Sequence, residues 1–433
     1  MKDREEAVKP KEGSPVKLSE EIRLFCQRAK AGSRLLATAN TQIKNNVLLT
    51  VANQLSKQEK EILAENQKDL DAAKEKGLES AKIERLTLNA RRIEEMATGL
   101  REVAALPDPV GEIIQMEKRP NGMQVGRMRV PIGLIAIIYE SRPNVTLDSA
   151  SLCLKSGNGV ILKGGSEAIH SNRKLAGIFS EALRTFGLPA EAVSFLDKTE
   201  RSATAELLKM DPFVDLVIPR GGEGLIRMVS ENSRIPVIKH DKGLCHVYVD
   251  EEADLAMAQK IILNSKIQRP STCNSAECLL VHQKSAPALL PDLFEKLSAK
   301  SVEIRGCAES QKYGKNVKPA TEQDYQTEFL DLILSVKVVS TLDEAMKHIE
   351  TYGSQHTETI ITENYSRGIR FINEVDASAV LINASTRLND GYEFGLGAEI
   401  GISTSRIHAR GPMGLKELTT TKFIVFGSGQ VRE

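Results

Sequence analysis

The sequence lacks a charge excess of either sign: 58 lysines and arginines balance 58 aspartates and glutamates over 433 residues. A binder of nucleic acid or another polyanion would carry a basic surplus, so that class is excluded. No Cys-x-x-Cys pair occurs among the six cysteines, and no Cys/His group has metal-ligand spacing along the chain. A metal site and a disulfide framework are therefore not expected. No apolar run approaches the roughly 18 residues of a membrane span. The first 17 residues are charged, contain Pro10 and Pro15, and lack the apolar core of a signal peptide. There is no internal repeat or low-complexity tract, and neither a GxGxxG fingerprint nor a P-loop. These absences leave a soluble, cytoplasmic protein of a reducing compartment, with no membrane and no nucleic-acid partner. Its length is that of two or three domains.

What is present is α/β texture. Residues 18–105 carry apolar positions at helical spacing, such as Val47, Leu48, Val51 and Leu55. Gly77 reads as a helix stop and Ser80 as an N-cap. Two strand-like stretches, Gly111–Lys118 and Met123–Val130, flank Asn121-Gly122, a hairpin signal in which both turn residues take positive φ. From Val130 apolar strands alternate with helical segments, which predicts a parallel sheet with helices on both faces. A second series of the same kind follows residue 273. The expected architecture is two α/β domains plus a β-hairpin arm. A flexible extension occupies 1–17, a cofactor-binding domain 18–110 and 131–263, and a catalytic domain 264–414. The arm and tail take 111–130 and 415–433.

Four stretches could carry chemistry. Gln268-Arg269-Pro270-Ser271-Thr272-Cys273-Asn274 sets a thiol on a short loop between a helix and a strand. Pro270 ends the helix, and Arg269 brings a positive charge that could favour a thiolate. Such a cysteine can be a nucleophile, or a small buried hydrophobe. Ser271, Thr272 and Asn274 surround it with groups able to touch a substrate. Lys163-Gly164-Gly165-Ser166 and Arg220-Gly221-Gly222 each sit between a strand and a helix, where phosphates of a cofactor bind. Each may equally be a glycine-rich turn. Arg142 could grip a carboxylate or phosphate, and Asn144 could donate to an oxyanion or cap a helix. The block from Asn383 to Arg410, with Ser403 and Thr404, is dense in glycine, hydroxyl and arginine, and suits a loop closing over an anionic substrate.

The stretches YESRPNVT from Tyr139, LKSGNGVILKGGSEA from Leu154, DLVIPRGGEGL from Asp215, QRPSTCN from Gln268 and NASTRLNDGYEFGLGAEIGISTSRIHARGPMGL from Asn383 together resemble the aldehyde dehydrogenase superfamily. The likeness spans nearly all of the chain after residue 18, and points to the branch that reduces an acyl phosphate. It implies the aldehyde-dehydrogenase-like fold and an arm used for homo-oligomerisation. It further implies NADPH-dependent reduction of L-glutamyl 5-phosphate to L-glutamate 5-semialdehyde, the second step of proline biosynthesis. The alternative is another acyl phosphate or aldehyde on the same chemistry. By resemblance Cys273 is the nucleophile, Asn144 the oxyanion donor, and Lys163, Gly164, Ser166, Arg220, Gly221 and Gly222 hold NADPH. Arg142, Ser271, Thr272, Asn274, Ser403 and Thr404 are the expected substrate contacts. Glutamate 5-kinase would be the functional partner that supplies the acyl phosphate. Where hydrolytic relatives carry Glu-Leu-Gly-Gly, this chain reads His240-Asp241-Lys242-Gly243-Leu244, without the glutamate that activates water. A thioester that exchanges with phosphate has no use for that base.

Overall fold

The computed structural model describes residues 15–239 and 242–432. The expected extension at 1–17 lies almost wholly outside them, as do His240 and Asp241. The chain forms two compact units. Unit 1 holds the N-terminal part up to Ile238, together with Gly397–Ile400 and Gly414–Glu433; unit 2 holds Lys239–Leu396 and Gly401–Met413.

Unit 1 begins with five helices, Pro15–Leu36, Thr41–Lys57, Glu59–Glu75, Ser80–Leu86 and Ala90–Ala105. Asn40 and Asn89 cap the second and fifth, each accepting a backbone N–H at 2.9 Å. Gly77 takes φ 64° just past the third, as a helix stop requires. Ser80 does not cap the fourth; it is the first helical residue, preceded by Glu79. The four-stranded parallel sheet has the order Val193–Phe195, Gly159–Lys163, Leu134–Tyr139, Leu216–Arg220. Every residue of Leu134–Tyr139 is buried, because helices cover both faces of this central strand. Beside the last of these strands, Leu216–Arg220, Val237 makes a single parallel bridge with Val217.

Unit 2 is built on seven parallel strands. Their order is Lys318–Pro319, Glu303–Gly306, Ile333–Val339, Ala276–His282, Cys245–Val249, Thr357–Ile361, Ala379–Ile382. The strand Cys245–Val249 pairs with Ala276–His282 and Thr357–Ile361. That pairing moves the boundary expected at 263/264 back to 238/239, and gives the helix Leu255–Ile267 to unit 2.

The arm is a three-stranded antiparallel sheet within unit 1: Ile113–Lys118, Gln124–Pro131 and the tail Thr419–Phe426. The hairpin turn takes positive φ only at Gly122 (89°), not at Asn121 as well. The register irregularity lies at Ile113/Gln115 rather than near Gly126.

Candidate active site

Residues 268–275 form the connection between the helix Leu255–Ile267 and the strand Ala276–His282. Ser275 N–H donates to the Thr272 carbonyl at 3.0 Å, and Thr272 Oγ1 donates to the Arg269 carbonyl at 2.8 Å. These bonds close the loop on itself and leave Cys273 half-buried. Behind it the buried Cys245 thiol donates to the Cys273 carbonyl at 3.1 Å. Burial drives the Cys245 thiol well above the ordinary range, so it stays protonated and serves as a prop. Gly243 closes the other side. A Cβ there would stand 2.0 Å from the Cys273 carbonyl oxygen, so only glycine fits.

One guanidinium group, that of Arg387, interacts with the thiol. Arg387, half-buried, donates to Gln268 Oε1 at 2.9 Å and to Asn274 Oδ1. Burial, and then the neighbouring charge of Arg269, lower its pKa, while Cys273 pulls it back up. The opposed charges of Arg387 and a Cys273 thiolate thus stabilise each other. Sequence reading set Arg387 in the closing block without this role; nothing local marks it.

Asn274 is buried, and its amide donates to the Asn389 carbonyl at 2.9 Å. It therefore holds the loop to the Asn383–Asn389 segment, where the sequence suggested a substrate contact. Ser403 is likewise buried, accepting from Ser405 N–H at 3.0 Å and donating to the Lys239 carbonyl at 3.4 Å. Ser271 is exposed, and Thr272 and Thr404 are half-buried, so these three keep surface for a ligand. Within unit 2 a cavity of about 740 Å³ is lined by Lys239, Lys242, Ser354, Gln355, Thr404 and Ser405, among others. Its wall also includes Leu244, next to the glycine that touches Cys273. Two lysines and several hydroxyls make it a site for an anion. The lysines went unremarked in the sequence, where they read only as part of Lys-His-Asp-Lys-Gly.

A buried ion pair ties the two ends of the nucleophile loop. Lys266 Nζ and Glu277 Oε2 are 2.7 Å apart, both fully buried. Burial pushes the Glu277 carboxyl up and the Lys266 ammonium down, each towards its neutral form, and the partner's charge opposes that in both.

Unit 1 gathers the other expected residues at the carboxyl edge of its sheet. In the strand register Ile138 stands beside Lys163 and Tyr139 beside Arg220. The chain runs outward in both directions from the central strand, so this edge is a topological switch point. Ser141 takes φ 43°, and its N–H and hydroxyl both donate to Glu167 Oε1, at 2.6 and 2.8 Å. Gly222 N–H donates to Glu140 Oε2 at 3.0 Å and precedes the helix Glu223–Asn232. No side chain caps that helix start, and a Cβ on Gly222 would meet open space. Lys163 is buried with its ammonium on the Gly164 carbonyl at 3.1 Å; burial lowers its pKa, and Glu167 and Glu200 oppose this. Beside it a cavity of about 270 Å³ is lined by Lys76, Ser166, Glu167, His170 and Thr199, among others. An uncapped helix start and a strand-end lysine at one sheet edge fit a dinucleotide. Arg142 is exposed. Asn144 opens the helix Asn144–Lys155 and donates one amide N–H to Asp148 Oδ2 at 2.8 Å, which fixes the amide and leaves its second N–H to give. Burial raises the Asp148 carboxyl to about 6 against that bond.

The aldehyde dehydrogenase family profile matches residues 14–326. A gamma-glutamyl phosphate reductase of Thermodesulfovibrio yellowstonii is 55% identical over 407 residues, 94% of this chain and 97% of that protein. One of Carboxydothermus hydrogenoformans is 55% identical over 413 residues, covering 95% and 100%. The crystal structure of the Thermotoga maritima gamma-glutamyl phosphate reductase superposes with a TM-score of 0.93 at 47% identity, over 95% of this chain and all of that one. An acetylating aldehyde dehydrogenase of Geobacillus thermoglucosidasius shares the fold, with a TM-score of 0.69 at 19% identity over 97% and 99%. The chain therefore belongs to the aldehyde dehydrogenase family, and within it to the gamma-glutamyl phosphate reductases.

Proposed function

We propose that the protein reduces L-glutamyl 5-phosphate to L-glutamate 5-semialdehyde, releasing phosphate, with NADPH as reductant. The observation that carries this is the Cys273 loop: a thiol facing the charge of Arg387, backed by Gly243, whose neighbour Leu244 lines a cavity with two lysines. The Cys273 thiolate attacks the acyl carbon, the carbon–oxygen bond to phosphate breaks, and a thioester remains. Lys163, Gly164, Ser166, Arg220, Gly221 and Gly222 of unit 1 would hold NADPH, which when bound would supply the hydride that reduces the thioester to the aldehyde and frees the Cys273 thiolate. In unit 1, Asn144 keeps a second amide N–H beyond the one given to Asp148, the kind of donor an oxyanion needs. Lys239 and Lys242 line the site for the substrate's anionic groups. Lys76, on the wall of the smaller cavity, supplies a cation for a ribose 2′-phosphate, which favours NADP over NAD.

The reverse reaction tests the reading. With glutamate semialdehyde and NADP, NADPH should form only when phosphate or arsenate is present, and NAD should serve poorly. Glu328 makes the test sharp. It accepts the Gly243 N–H at 2.9 Å, so a carboxylate does stand by the Cys273 loop. Full turnover without phosphate or arsenate would mean that a base there activates water and that the phosphorylating mechanism is wrong.

The arm supports a homo-oligomer. Ile113, Ile114, Met116, Phe423, Val425 and Phe426 are exposed on one small sheet, more apolar surface than a three-stranded ribbon leaves open to water without a partner. Deleting 112–129 should lower the mass in light scattering to that of one chain; an unchanged mass would return the arm to an unpartnered ribbon. Among the described residues no helix is long and apolar enough to cross a membrane. A cytoplasmic location suits a thiol nucleophile, and glutamate 5-kinase is the reaction class that would supply the acyl phosphate; cell fractionation and a coupled assay check these.

A further inference from the structure

On one face of the unit 2 sheet, three metal-ligating side chains meet that the Cys273 chemistry does not use. His246 and Cys278 are register partners on adjacent strands, so both project from the same face. His348 comes down onto them from the helix Leu342–Tyr352. All three are buried, and their donor atoms lie within 4.8 Å of one another. Cys278 Sγ and His348 Nε2 are 3.6 Å apart. In a tetrahedral zinc site bonds of roughly 2.0 and 2.3 Å put nitrogen and sulfur about 3.5 Å apart. A spacing at the 4.8 Å limit needs about 1.3–1.5 Å of closure by comparison, which side-chain rotation supplies.

The surroundings are those of a metal ligand set. Glu358, the register partner of His246 on the next strand, accepts from His246 Nδ1 at 2.9 Å. A carboxylate on the far nitrogen is the arrangement that orients a metal-bound imidazole. His246 Nε2, the nitrogen not bonded to Glu358, has no hydrogen-bond partner although the ring is buried. Orphaned nitrogens are rare in a packed core and call for an explanation. Tyr325 and Tyr352 close over His348, with ring centroids at 5.0 and 4.5 Å. A dication here would be neutralised by the Cys278 thiolate and the Glu358 carboxylate, so the dry core would hold no net charge. One thiolate and two imidazoles select zinc over magnesium or calcium.

We propose that His246, Cys278 and His348 hold a structural zinc ion that fastens the helix Leu342–Tyr352 to the sheet. The whole chain, made without a polyhistidine tag in zinc-supplemented medium and purified without chelator, should carry about one zinc per chain by elemental analysis. Cys278→Ser and His348→Gln should lose it, while Cys273→Ala should keep it. Made in cobalt-supplemented medium, the wild type should show a thiolate-to-cobalt charge-transfer band that Cys278→Ser lacks. If the variants fail to fold, the wild-type band and metal content decide alone. A metal-free wild type with no cobalt band overturns the proposal, and so does full zinc in Cys278→Ser.

Discussion

Cys273→Ala should lower turnover by about 10⁴-fold or more, as removal of a covalent nucleophile does. Far-ultraviolet dichroism and the unfolding midpoint should change little, because the side chain is only half-buried and the loop is held by Ser275, Thr272 and Asn274. Cys245 cannot take over. It is fully buried behind the loop, donates to the Cys273 carbonyl, and is kept protonated by burial. Retention of more than a few per cent of the reverse activity in the alanine variant would remove Cys273 from the chemistry.

The second large effect lies in the pair beneath the loop. Lys266→Met should destabilise the protein by about 3–5 kcal/mol, because Glu277 would be left as an uncompensated charge in a fully buried place. Lys266→Met combined with Glu277→Gln should recover a good part of that loss, since no buried charge then remains. Urea unfolding of the two variants against the wild type reads this out. A single variant as stable as the wild type would show that the pair contributes nothing to holding the loop ends.

Much of this was legible in the sequence. The strands that alternate with helices after Val130 were legible, because a strand buried on both faces, such as Leu134–Tyr139, must be apolar throughout. The nucleophile loop was legible because Pro270 ends its helix and an apolar strand follows. The unit boundary was not, since Cys245–Val249 reads the same whichever sheet it joins. Only its partners in the fold assign it. Lys266 and Glu277 look like ordinary surface charges in sequence, and the fold buries them together. The His246, Cys278 and His348 group defeats any local search, since Cys278 and His348 lie 70 residues apart. Asn121 was misread because a three-residue connection needs positive φ only at its glycine.

The arm has a consequence for biosynthesis. The hairpin strand Gln124–Pro131 leaves the ribosome early, while its second neighbour, Thr419–Phe426, is the last strand made. Phe426 follows Pro131 by 295 positions. At about 5–20 residues per second, that is roughly 15–60 s of synthesis. Throughout it the hairpin presents an unpaired edge, with Ile113, Ile114 and Met116 nearby on its other strand. Neighbouring nascent chains on one message would bring identical edges within reach of each other, so premature termination near the C-terminus should yield aggregates rather than a smaller soluble product.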